Sequence, residues 1–273
     1  MIKKIFFSAV ISATIVACST NAVTGRKQFK LVPESELQTM ATSQYQQFLS
    51  SNKVLNNTVN KDAEMVRRVG QRIANAVTSY YTEIGKQDLL KGFKWQYNLV
   101  ENKAANAWCM PGGKIVVYTG LLPITQNEAA LAVVMGHEVT HAIFQHGNER
   151  ISQGLIQSLG GVALQVAVAN KPTETQNLFL GAYGAGTAVG VLLPFSRKHE
   201  LEADRFGIRW AAMAGYNPQE SIALWERMEN ASQNGQKPPE FLSTHPAEGH
   251  RIEELKKYMD EAMKYYKPIG TVK

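Results

Sequence analysis

Apolar residues recur every three or four positions through several stretches of the chain and every second position through one, which predicts helices around a small sheet. Met65, Val66, Val69, Ile73 and Val77 mark one face of a helix over residues 62–77. An earlier helix opens after Pro33, carries Glu34 and Glu36 in its first turn and runs to residue 50. Proline suits the first helical position, and carboxylates suit the positive end of the helix dipole. Residues 52–60 are a polar, Asn-rich connection. Alternation through residues 93–100, a second extended piece at 106–110, and Ile115-Val116-Val117-Tyr118 after the turn Pro111-Gly112-Gly113 predict the strands.

Residues 131–146 predict a further helix, with a capping-box pattern from Thr125 to Glu128. The run Ala129 to Gly136 carries no charge, so this helix is apolar on every face and is expected to be buried. Other helices are expected after Ser196, after Asn217-Pro218, and from Pro246 through Arg251, Leu255 and Tyr258. Two weakly apolar stretches, 151–170 and 177–195, are interrupted by glutamines, glycines and Pro194. They are expected as packed helices rather than a transmembrane hairpin. The Gly186/Gly190 spacing then serves close packing. The expected class is α+β, mainly helical, with a small sheet beside the 131–146 helix.

With 273 residues and 44% of them hydrophobic, one large core can carry the fold. Lys3, Lys4, an apolar run over residues 5–16 and the small-residue end Ile15-Val16-Ala17-Cys18 have the shape of a secretory leader. The last four residues resemble a bacterial lipobox, which implies a signal peptide of residues 1–17 and a lipid attached to Cys18. Residues 18–32 then read as a lipidated polar tether and 33–273 as the catalytic domain. The resemblance, with Ser19 after the cysteine, implies a bacterial envelope protein held at the outer membrane and facing the periplasm. Without Lys3 and Lys4 the net charge is 27 − 23, or +4. That mild excess, no run of five like charges and no GxxxxGK loop exclude a nucleic-acid or nucleotide partner. Cys109 is left as the sole thiol of a chain cut before an acylated Cys18, in the apolar setting Ala-Trp-Cys-Met-Pro, and reads as a buried hydrophobe.

The sharpest chemical signal is His137-Glu138-Val139-Thr140-His141. Histidines four apart on a helix project to one side and can ligate one Zn²⁺. Glu138 lies about 100° around the helix from His137, placed to take a proton from a metal-bound water without ligating. The pentapeptide arises by chance in roughly one such sequence in a hundred, so its buried setting decides its weight. A third ligand is needed. His146, five residues beyond His141, is expected to face away. Glu200 and Asp204, four apart in Ser196-Arg197-Lys198-His199-Glu200-Leu201-Glu202-Ala203-Asp204, offer one carboxylate for the metal and one for the free N–H of a ligating histidine. Glu202, on the opposite side of that helix, is the weaker candidate ligand.

These motifs resemble family forty-eight of the metallopeptidases, which includes CAAX prenyl endopeptidases, membrane heat-shock proteases and periplasmic lipoprotein proteases. Asn106-Ala107-Trp108 with Pro111-Gly112-Gly113, Val23-Thr24-Gly25-Arg26, and Thr244-His245-Pro246 with Arg251-Ile252 are similar too. The resemblance implies a gluzincin fold, one zinc, ligands His137, His141 and Glu200, and Glu138 as general base, which leaves Asp204 as the carboxylate behind a ligand. It also implies that Asn106, Ala107 and Trp108 form an edge strand against which substrate backbone pairs. His245 reads as a fourth ligand that holds the enzyme off, as a group steadying the oxyanion, or as a surface cap. The leading functional expectation is a zinc endopeptidase acting on misfolded envelope proteins, tethered to the membrane by its lipid, with assembly partners left open. The alternative is a chaperone-like lipoprotein that keeps the zinc for structure or substrate capture.

Overall fold

In a computed structural model of the chain, residues 18–159, 172–183, 196–233, 239–245 and 250–270 are described. A hairpin of β1 (Cys18–Thr20) and β2 (Lys27–Phe29) leads into α1 (Glu34–Ser51) and α2 (Lys61–Glu83). The main sheet comprises β3 (Val54–Leu55), β4 (Gln96–Val100), β5 (Ala107–Met110) and β6 (Lys114–Tyr118). After it come α3 (Leu122–Thr125), α4 (Glu128–Ile143), α5 (His146–Leu159), α6 (Pro172–Tyr183), α7 (Arg197–Met213), α8 (Glu220–Gln233), α9 (Glu240–Thr244) and α10 (Arg251–Met263). The fold is mainly helical α+β and zincin-like, as expected.

The sheet order is β3-β4-β6-β5, with β4 and β6 parallel and β5 antiparallel to β6 at the edge. Alternation along β6 divides its burden. Ile115 and Val117 join the core under α2 and α4, whereas Val116 and Tyr118 join a second core with Leu37, Ala41 and Tyr45 of α1. A central strand covered on both faces requires the near-continuous apolar run that β6 has. The two-residue strand β3 lies inside the Asn-rich connection and pairs Val54 with Val100.

Every residue of α4 from Ala130 to Ile143 is buried, which is why its sequence is apolar all round. The helix begins three residues earlier than its periodicity suggests. Its cap is Asn127, whose side chain accepts the Ala130 N–H at 2.8 Å, and not Thr125, which closes α3. It also ends earlier, because Gln145 adopts φ 56° and turns the chain into α5. The apolar stretches at 151–170 and 177–195 are described only as far as Leu159 and from residue 177 to Tyr183. There, Gly154 faces Leu178 between α5 and α6. The rest of both stretches, the Gly186/Gly190 pair and the leader of residues 1–17 lie outside the described residues. Among the described residues no helix is long and apolar enough to cross a membrane.

Residues 18–32, read from the sequence as a polar tether, include a hairpin and pack in part against the rest of the chain. Asn21 Oδ1 accepts the N–H groups of Val23 and Thr24, and Gly25 at φ 72° completes the turn into β2. Buried Gln28 then donates to Phe144 O at 2.6 Å and Glu149 Oε1 at 2.8 Å, while Leu31 N–H donates to Ser152 Oγ at 2.8 Å. The partners of Gln28 and Leu31 sit more than a hundred residues further along the chain, where spacing does not reveal them.

Helices α4 and α7 meet where neither has a side chain. A Cβ on Gly136 would lie 2.5 Å from Gly207 O, and one on Gly207 would lie 2.8 Å from His137 N. Backbone cannot yield there as a flexible side chain would. Gly136→Ala is therefore expected to cost about 1–3 kcal/mol of stability, lowering the melting temperature by about 2–4 °C per kcal/mol. Calorimetry checks this, and an unchanged melting temperature would refute it.

Candidate metal centre

The close approach of α4 and α7 brings His137 and His141 opposite Glu200. His137 Nε2 and His141 Nε2 are 3.0 Å apart. Glu200 Oε2 lies 3.5 Å from His137 Nε2, and Glu200 Oε1 lies 3.4 Å from His141 Nε2. A fourth donor enters from the C-terminal side: His245 Nδ1 is 3.2 Å from His137 Nε2 and 3.0 Å from Glu200 Oε1. All four side chains are buried, with ligand atoms within 4.8 Å of one another. Donors about 2.1 Å from a tetrahedral zinc stand about 3.4 Å apart, so three imidazoles and one carboxylate at these separations suit that ion. His245 is thus drawn into the cluster and is not a surface cap. It also does not start the last helix, as the sequence suggested. It follows the short α9, and its N–H donates to Phe241 O at 2.9 Å.

Groups behind the donors set their orientation. His137 Nδ1 meets Asp204 Oδ1 at 2.9 Å, which leaves Nε2 free for a metal. Arg251, buried on α10, places Nη2 2.7 Å from Asp204 Oδ1 and 3.1 Å from Glu200 Oε2, with its guanidinium over the Trp225 ring. Thr140 and Trp210 tie α4 to α7 through Trp210 Nε1–H donating to Thr140 Oγ1 at 3.1 Å. Glu138 is buried beside the cluster, with Oε1 3.4 Å from His245 Nε2.

Burial dominates the electrostatics and partners redirect it. Burial alone would lower His137, but Asp204 and Glu200 raise it to about 9. Burial, aided by His137, pushes His141 well below its ordinary value. Burial would raise Glu200, yet His245 and His137 hold it well below the usual carboxylate range. Glu138 is raised by burial, with His245 and His137 pulling the other way. Burial also raises the Cys109 thiol well above its ordinary value, as expected of a packed hydrophobe.

Two rejected ligands find other work. His146 is outside the cluster, as expected, but stays next to it: the left-handed Gln145 places it behind His141, Nδ1 to Nδ1 at 2.9 Å. Glu202 accepts from His146 Nε2 at 3.0 Å and from Arg26. Asn106, Ala107 and Trp108 lie at and before the start of edge strand β5. Ala107 points into the core, and Trp108 packs edge-on against Tyr45 and Phe48. Beside them, Phe241 N–H donates to Ala105 O at 3.0 Å and Asn106 Nδ2 donates to Glu240 Oε1 at 3.1 Å. The His245 segment therefore borders the strand as well as the donor cluster.

A buried His-Glu-x-x-His helix beside a small sheet, completed by a carboxylate from a later helix, defines the metallopeptidases of zincin type. The sequence profile of Peptidase family M48 matches residues 60–259, and the chain belongs to that family. The family uses zinc, and the four-donor cluster can hold one such ion. The chain is 36% identical over 184 residues to mitochondrial metalloendopeptidase OMA1 of Saccharomyces cerevisiae, covering 65% of this chain and 51% of that protein. Identity to metalloendopeptidase OMA1 of Bos taurus is 32% over 251 residues, 89% of this chain and 46% of the relative. The beta-barrel assembly-enhancing protease of Escherichia coli is 30% identical over 165 residues, 58% of this chain and 33% of that protein. The chain thus spans about half or less of the length of these relatives.

Asp204→Asn is expected to weaken zinc binding by about 10–100-fold, as removal of a carboxylate behind a ligating histidine does. Chelator competition measures it, and a change under twofold would contradict the orienting role.

Proposed function

We propose that the chain is a zinc-dependent endopeptidase in which His137, His141 and Glu200 hold the ion and Glu138 is the general base. The observation that carries this reading is Glu138 itself, a carboxylate buried next to the donors and raised above its ordinary range. A purely structural zinc site has no use for such a group. Zinc, when bound, acidifies the attacking water and polarises the scissile carbonyl. Glu138 then takes the water's proton and returns it to the leaving amine. The outer edge of β5 aligns an extended substrate by backbone pairing, with Asn106, Ala107 and Trp108 at its entry.

On this reading the enzyme rests with His245 at the metal. His245 Nδ1 occupies the position a fourth, exchangeable ligand requires, and residues 239–245 border the entry to β5. Opening requires this segment to withdraw. The same four-donor arrangement is what favours the alternative, a zinc-bearing chaperone-like protein with little turnover, and Glu138 tips the balance against it. On unfolded casein, Glu138→Gln is expected to keep stoichiometric zinc and lose about 10²–10⁴-fold in rate. In the same assay His245→Ala should keep zinc and cleave several-fold faster than the unaltered chain. Undiminished cleavage by Glu138→Gln would sink the mechanism.

The leader pattern and Cys18 support a lipid-anchored protein of the bacterial envelope, at the outer membrane and facing the periplasm, with misfolded envelope proteins as substrates. The name of the Escherichia coli relative fits that setting, while the OMA1 relatives are named mitochondrial. Cys18→Ala should move the protein from membrane to soluble fractions on cell fractionation. Retention in the membrane would exclude the anchor.

A further inference from the structure

Arg26 belongs to the Val23-Thr24-Gly25-Arg26 stretch, outside the residues 60–259 matched to the family, and no role so far accounts for it. Its guanidinium is nearly enclosed, with 11% side-chain exposure. Nη1 and Nη2 donate to the two oxygens of Glu149 at 2.7 and 2.5 Å, and Nε lies 2.8 Å from both oxygens of Glu202. One planar cation spanning two carboxylates is a task for arginine, which lysine's single point charge does not reproduce. Glu202 in turn meets His146 Nε2 at 3.0 Å, and His146 Nδ1 meets His141 Nδ1 at 2.9 Å. His199 stacks on the His146 ring at 4.4 Å and confines it.

The protons along this chain of contacts run in one direction. For His141 to offer Nε2 to a metal, its proton must sit on Nδ1, which then donates to His146 Nδ1. His146 consequently carries its proton on Nε2 and donates it to Glu202. Glu202 accepts from His146 on one side and from Arg26 on the other. Reversing any link would put the proton on His141 Nε2 and remove it as a ligand.

We infer that Arg26 is a positioning residue of the metal centre: from the N-terminal hairpin it fixes Glu202, which orients His146, which holds His141 with Nε2 toward the ion. The inference rests on the proposed ligation by His141. The hairpin of β1 and β2 is accordingly part of the working site. Without Arg26, buried Glu149 and partly buried Glu202 become neighbouring carboxylates lacking their shared cation, and Glu202 is free to leave His146.

The test is zinc affinity by chelator competition on the full chain, alongside melting temperature and the visible spectrum of the cobalt-substituted protein. Arg26→Met is expected to weaken zinc about tenfold, within the range seen for such supporting groups, and to alter the cobalt bands. Arg26→Lys should recover only part of the loss. In a His146→Ala background, Arg26→Met should lower zinc affinity no further, because its route to His141 is already cut. Affinity within twofold of the unaltered chain, or a loss that adds fully to that of His146→Ala, would overturn the inference and leave the hairpin a structural clasp. Should Arg26→Met fail to fold, Arg26→Lys and Glu202→Gln are read by the same criteria. Full zinc affinity in His141→Ala would overturn the ligand assignment and this inference with it, a result distinguishable from failure at Arg26 alone.

Discussion

The contact between Gly136 and Gly207 is the constraint on which the site depends. Helices normally stand about 8–10 Å apart, separated by side chains. Here the backbones touch, and the residue following Gly136 is His137, whose own N and Cα lie against Gly207. That closeness lets Glu200 and Asp204, two turns and one turn before Gly207 on α7, flank the same imidazole from either side. The interhelix hydrogen bond from Trp210 to Thr140 fixes the register one turn further along. Ligand geometry is thus set by backbone packing, with the side chains locked afterwards.

Legibility in the sequence followed the distance over which each relation acts. His137, Glu138 and His141 share one turn of one helix, and Glu200 with Asp204 share another, so spacing alone exposed both halves. The pairing of the halves came from chemistry, since two histidines need a third ligand and a free imidazole N–H needs an acceptor. What spacing could not carry was the effect of one backbone angle. Gln145 at φ 56° ends α4 and turns His146 behind His141, whereas a continued helix would have pointed it elsewhere. Arg251 and Arg26 were noted only as parts of motifs, because a lone arginine in a polar stretch looks solvated until its distant carboxylates are known. The sheet was readable in its strands, but not in the parallel pairing of β4 with β6, which alternation does not encode.

The site draws on both ends of the described chain. Residues near the beginning buttress His141 from behind, while His245 and Arg251 close it from the front and side. The two groups differ in what they cross. Arg26 reaches α5 and α7 from a hairpin clasped by Gln28, Leu31 and Asn148, so it moves only if that clasp opens. His245 follows a five-residue helix held to the sheet by the Ala105 and Asn106 contacts, and Arg251 Nη1 donates to its carbonyl oxygen at 3.4 Å.

Charge balance explains why a guanidinium is buried among the donors. Glu138, Glu200 and Asp204 place three carboxylates in a volume nearly closed to water, where unpaired charge is costly. A divalent ion among neutral imidazoles, together with Arg251, offsets all three. Against the effect of burial, Asp204 and Glu200 raise His137 to about 9. Ion and proton thus compete for the same Nε2, and zinc uptake releases protons. Arg251 serves both states because its charge never titrates and its fork reaches Asp204 and Glu200 together. A lysine there would meet one carboxylate and lose the broad face that lies 3.6 Å over Trp225, leaving the other carboxylate to distort whichever histidine it touched.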